Sequence, residues 1–197
     1  MAAAARCLAR GGFNAVSMQQ IAAEVGFTAP ALYMYFESRE AIFEELFLTI
    51  RRELVEIFES PETERPARGA SFSRRLAALV RRQLEWMEKR RDVFQAVMAM
   101  RLRGEPWRPQ ADGGGEPMPV LHWRLLAEWL AAEAKGKDVG GQEPGQAASF
   151  LLGTMQGFIW RWLKATPARQ RLADETDHIL ALFLHGVLGA EAALKRS

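Results

Sequence analysis

The stretch Met18 to Phe36 (MQQIAAEVGFTAPALYMYF) constrains this 197-residue chain more tightly than any other segment. Ser17 stands ahead of it as an N-cap, and Gln20 follows three residues later, the S-x-x-Q spacing of a capping box. Ile21 and Val25 repeat at i, i+4 and are expected to face inward, while Ala22 is small where a second helix must cross closely. Gly26 falls where the chain turns between the helices, a place that favours positive φ and hence glycine. Phe27 is placed to staple the next helix, Thr28 to cap it, and Pro30 lies in its first turn, where a missing N–H does little harm. Leu32 and Phe36 repeat at i, i+4 and close a small core. The residues therefore specify two short helices crossing at a tight turn.

Beyond this segment the chain is punctuated like a helical bundle. Pro/Gly-rich breaks at Ser60–Gly69, Arg103–Pro119, Gly136–Gly145 and Thr166-Pro167 separate stretches of three-to-four-residue apolar spacing. Helices are expected near Ala2–Arg10, Ser38–Glu59, Phe72–Arg90, Asp92–Leu102, Val120–Lys135, Gln146–Ala165 and Ala168–Lys195. Alternating strand patterns are not evident, so the expected fold is all-α: an N-terminal three-helix unit followed by a C-terminal helical bundle, with domains at residues 1–43 and 44–197. The triplet Gly113–Gly115 reads as a mobile loop.

Composition narrows the class. Hydrophobic residues make up 49% and charged residues 25%, the profile of a folded soluble chain. Cys7 is the single cysteine, which rules out an intrachain disulfide and fits a reducing compartment, so a cytoplasmic location is expected. The opening residues lack an apolar block of signal-peptide length. The longest apolar stretch, Phe150–Trp160, contains Gln156 and ends before Arg161, short of the roughly 20 residues a membrane span needs, so no membrane association is expected.

Two short capped helices around a glycine turn form the pattern of a helix-turn-helix, whose second helix lies in the major groove of DNA. The longer segment from Gly12 through Phe43 (GFNAVSMQQIAAEVGFTAPALYMYFESREAIF) resembles the DNA-binding domain of the TetR (tetracycline repressor) family, with matches at Gly12, Phe13, Ser17, Ile21, Ala22, Gly26, Leu32, Tyr33, Tyr35, Phe36 and Ser38. The resemblance implies that Ser17, Tyr33, Tyr35 and Arg39 contact phosphates. It implies that Gln19, Ala29, Pro30, Ala31 and Met34, after the Thr28 cap, lie nearest the base edges. Arg39 stands where the family usually has lysine. The tyrosine at 33 has a competing role, closing the domain core with its ring.

Charge is the awkward feature. From Met1 to Ile50 the cations Arg6, Arg10 and Arg39 face five glutamates, a net of −2, although DNA affinity usually rests on neutralising phosphates. No basic arm precedes the first helix, and the expectation is that the numbered chain starts late.

For the remainder, the resemblance implies an internal small-molecule pocket and dimerisation through the last two helices. Gly153 and Gly157 on one of these, and Gly186 and Gly189 on the other, suit close approach of a neighbouring helix. Trp86, Phe94, Met98, Trp123, Met155, Phe158 and Trp162 are the candidate lining of a pocket for a hydrophobic effector, with Gln156 and His122 as candidate orienting groups. Asp174, His178 and His185 fall near one helical face, but a solvated helix start explains the acids more simply, and no metal or other cofactor is expected. The chain has no G-x-S-x-G, no H-E-x-x-H and no phosphate-binding glycine loop, so no enzyme is expected. The implied function is a ligand-responsive repressor that acts as a homodimer on double-stranded operator DNA. The alternative is a DNA-binding regulator or architectural protein without a small-molecule ligand.

Overall fold

A computed structural model of the chain describes residues 2–12, 15–60, 71–104, 116–134, 139, 141–165 and 171–194. Their regular structure is helical: α1 (Ala2–Gly11), α2 (Met18–Glu24), α3 (Ala29–Tyr33), α4 (Arg39–Glu59), α5 (Phe72–Lys89), α6 (Arg91–Arg103), α7 (Met118–Glu133), α8 (Pro144–Lys164) and α9 (Thr176–Leu194), the last entered through a 3-10 turn at Leu172–Glu175. An isolated bridge joins Val139 and Gln142. The expected breaks lie largely outside the described residues, as do Phe13 and the Gly113–Gly115 loop.

The helices begin where the side chains dictate. Ser38 Oγ accepts the Ala41 N–H at 3.1 Å and so caps α4. Pro119 and Pro144 sit in the first turns of α7 and α8, so each helix opens two residues ahead of its expected start; proline is tolerated there because those N–H groups have no helical partner anyway. The final helix starts later than expected because residues 172–175 wind as the tighter 3-10 turn, with Thr176 Oγ1 donating to the Ala173 carbonyl at 2.6 Å.

The chain divides into two compact units, Met1–Arg52 with Lys89–Gly115, and Glu53–Glu88 with Glu116–Ser197. In the first, α1 buries Ala3, Ala4, Ala5, Cys7 and Leu8 and packs against α2 and α6, while α4 contributes Ile42, Phe43, Leu46, Phe47 and Ile50 to the core. Its partner α6, which the sequence pattern left in the C-terminal bundle, is therefore part of the unit that holds the helix-turn-helix. An Arg6 link reaches across from α1 to Asp92 on α6 at 3.4 Å. In the second unit α8 packs against both α7 and α9. Its core is a set of stripes at helical spacing, among them Leu76, Leu79, Val80, Leu84 and Met87 on α5 and Leu151, Met155, Ile159 and Leu163 on α8.

Candidate nucleic-acid interface

The site starts from its caps. The Ser17 N–H donates to Gln20 Oε1 at 2.8 Å and the Gln20 N–H donates to Ser17 Oγ at 3.3 Å, a reciprocal capping box that fixes the first turn of α2. Helix α2 ends at Glu24, and Gly26 takes φ +73°. The Phe27 N–H bonds back to the Ala22 carbonyl at 2.9 Å and the Gly26 N–H to the Ala23 carbonyl at 3.2 Å, the paired closure of a Schellman ending. Thr28 Oγ1 then accepts the Ala31 N–H at 3.4 Å and opens α3, with Pro30 in its first turn. Ile21, Ala22 and Leu32 are buried between the two helices.

The turn also explains a departure. Val25 is 45% exposed rather than inward, because α2 stops one residue before it and the backbone has already left the helical direction that would carry Val25 under Ile21. Phe27 is likewise exposed.

What the unit presents outward is the end of α3. Met34 is 83% exposed, Tyr35 74% and Tyr33 54%, so Tyr33 does not close the core. Gln19 and Pro30 are exposed, while Ala29 and Ala31 are half-buried. An open cleft of about 320 Å³ lies at one end of this surface, lined by Ser17, Gln19, Tyr33, Ser38 and Arg39 among others. Four of the five residues expected at phosphates or at the start of the reading face therefore share one depression.

Arg39 is more occupied than its sequence position suggests. Its Nη1 donates to the Val16 carbonyl at 2.6 Å and its Nε pairs with Glu40 at 2.7 Å, which ties the first turn of α4 to the residue ahead of the Ser17 cap. Glu40 is held below the usual carboxylate range chiefly by this hydrogen bond. On the other side Glu24 receives Arg10 and Arg6, the latter at 2.8 Å, and their hydrogen bonds lower its pKa. The three arginines of the N-terminal fifty residues are thus all engaged with acceptors of the same unit.

The candidate effector residues separate. Phe94 and Met98 belong to the first unit, and Trp86, Trp123, Met155, Phe158 and Trp162 to the second. Met155 is buried, and Trp86 donates its Nε1–H to Glu53 at 2.9 Å. Trp123 is 39% exposed, because Leu121, Leu126 and Leu130 occupy the buried stripe of α7 and its indole is held at the edge by Gly145 O and Ser149 Oγ, both at 3.0 Å. Gln156 is exposed on α8. Gln83, Glu175 and Thr176 are the buried polar side chains among the described residues; Gln83 is fully buried on α5, and its Oε1 accepts from His122 Nε2 at 2.5 Å. Phe58 meets the imidazole edge-on, and burial pushes its pKa down to about 4. Gln83 was legible as a polar residue interrupting the stripe Leu76–Leu79–Val80–Leu84–Met87, a signal that periodicity alone registers as noise. Among the described residues no three His, Cys, Asp or Glu side chains converge as a metal site.

The family model for bacterial regulatory proteins of the tetR family matches residues 1–46, the segment that carries this helix-turn-helix. The N-terminal segment is a tetR-family DNA-binding domain by this match. A curated relative, an uncharacterized HTH-type transcriptional regulator, YdgC, of Bacillus subtilis (strain 168), is 29% identical over 82 residues, and the match spans 42% of each chain. Solved structures share the fold over nearly the whole length. The fatty acid degradation regulator FadR from Bacillus halodurans has a TM-score of 0.65 at 16% identity, covering 94% of this chain and 92% of that one. FadR from Bacillus subtilis, solved in complex with stearoyl-CoA, has a TM-score of 0.60 at 17% identity, covering 94% and 96%. The match to the tetR-family model spans the capped surface of α2 and α3. No described helix is long and apolar enough to cross a membrane.

Proposed function

We propose that the chain is a ligand-responsive repressor, with residues 1–43 as the DNA-binding domain and 44–197 as the effector-binding and dimerisation domain. The observation that carries the DNA half is the doubly capped α2–α3 pair around Gly26, with Tyr33, Met34 and Tyr35 exposed beside it. Ser17, Tyr33, Tyr35 and Arg39 contact phosphates, and Gln19, Ala29, Pro30, Ala31 and Met34 approach the bases behind the Thr28 cap. A homodimer sets two such heads about 34 Å apart, one helical turn of DNA. The faces of α8 and α9 support that assembly: Gly153 and Gly157 have open space around them, and Leu182 is 54% exposed. Gly186 serves the chain itself, since Phe150 covers it.

The effector is a hydrophobic small molecule taken up by the second unit, and the stearoyl-CoA seen in the Bacillus subtilis FadR structure makes long-chain acyl-CoA thioesters the first compounds to try. Effector binding shifts the C-terminal domain to a conformation in which α4, shared covalently by both units, no longer holds the heads at operator spacing. Linkage makes the test sharp. A duplex selected from a random library is titrated with the protein by fluorescence anisotropy, with and without acyl-CoA, and acyl-CoA affinity is measured with and without the duplex. Each ligand must weaken the other by the same factor. Equal effector affinity in both conditions overturns the repression mechanism.

A further inference from the structure

The outward face of α3 is almost devoid of charge. Between residues 15 and 50 the single Lys or Arg is Arg39, and its guanidinium is bonded to the Val16 carbonyl and to Glu40. Pro30 and Met34 stand at i, i+4 and form one exposed ridge, while half-buried Ala29 and exposed Tyr33 share the same spacing beside it. Thr28 Oγ1 is committed to the Ala31 N–H and Gln20 to the Ser17 cap, so the free hydrogen-bonding groups beside the ridges are the Gln19 amide and the tyrosine hydroxyls.

Guanine is most often read by a bidentate Arg or Lys on its O6 and N7, and this face has no cation to do so. What it offers is methyl and thioether surface, and the apolar group that the major groove displays is the C5-methyl of thymine. We propose, on the footing that the α2–α3 surface binds DNA, that this protein reads its half-site through thymine methyl groups packed against Met34, Pro30 and Ala29, with Gln19 pairing to an adjacent adenine. The specificity-determining residue is Met34: it is the most exposed large apolar side chain among the described residues of the unit, and its unbranched thioether adapts to an uneven surface.

Uracil in place of thymine deletes this methyl and leaves base pairing intact. Duplexes selected from a random library by the full chain are resynthesised with uracil at each half-site thymine in turn and bound to wild-type protein and to Met34→Ala. The proposal expects thymine-rich half-sites, a loss of about fourfold per contacted methyl, the value of one buried methylene, and a Met34→Ala loss on the thymine duplex that vanishes on the uracil duplex. Equal wild-type affinity for thymine and uracil duplexes overturns the proposal while leaving DNA binding intact, as does an equal Met34→Ala loss on both. Failure to select any duplex overturns the DNA-binding reading itself. Thermal melts of Met34→Ala match wild type if the side chain serves DNA and not the fold.

Discussion

At the scale of single residues, local rules and enclosure act separately. Gly26 answers a local demand: its φ of +73° lies in the left-handed region, and a Cβ placed there meets nothing within 4 Å. Gly26→Ala therefore costs only the backbone strain, about 1 kcal/mol, read as a lower denaturant midpoint at unchanged slope. His122 answers enclosure. Its imidazole is neutral in the folded chain down to pH of about 4, whereas an unfolded histidine protonates near 6.5. Between those values the unfolded state holds the extra proton, so stability is complete above pH 6.5 and falls as pH drops toward 4, by about 3 kcal/mol in total. Melts of His122→Gln across this window should show a flatter dependence by about one proton; an unchanged slope would place the pH sensitivity elsewhere. The Ser17–Gln20 box and the Thr28 cap were legible because each is a bond between residues three apart in sequence. The Gln83–His122 bond was not, since the two residues lie 39 positions apart on α5 and α7.

At the scale of elements, the acidic balance of the N-terminal segment gains a structural meaning. Glu24, at the end of α2, draws Arg6 and Arg10 from α1 toward itself, so the ion pairs that brace α1 on α2 also neutralise both arginines. Exposed pairs of this kind add little to stability and are screened by salt. Glu24→Gln is therefore expected to leave the melting temperature nearly unchanged, to tighten DNA binding at low ionic strength, and to steepen the slope of log K against log salt by about one. An unchanged low-salt affinity would mean that α1 stays away from the backbone. The helix boundaries themselves were readable to within a few residues, because Pro and Gly mark them; the shifts at α7, α8 and α9 come from prolines absorbed into first turns and from the 3-10 turn ahead of Thr176. The exposed Val25 and the half-exposed Trp123 were misplaced by the same rule that succeeded elsewhere, since periodicity assumes that the helix continues and that every apolar residue finds room in the stripe.

At the scale of the whole molecule, the proposed function rests on surfaces that one chain leaves uncovered. Leu182 and the open face at Gly153 and Gly157 belong to the two helices proposed to pair between copies. Leu182→Glu puts a charge into that contact, and sedimentation velocity should then show a shift toward monomer. Operator affinity falls with it, because one head on half a site loses the second set of contacts. A variant that remains dimeric would move the interface off this part of α9.

The sequence by itself determined the all-α architecture, the helix-turn-helix and its caps, and the tetR-family match of the N-terminal segment, because these depend on contacts between residues close along the chain. The tertiary structure decided that α6 joins the N-terminal unit, that all three N-terminal arginines are spoken for, and that Gln83 and His122 share a part-buried bond. Those outcomes join residues up to 86 positions apart, as Arg6 and Asp92 show. Such pairings follow from how helices stack, and periodicity along one helix carries no record of which helix will face it.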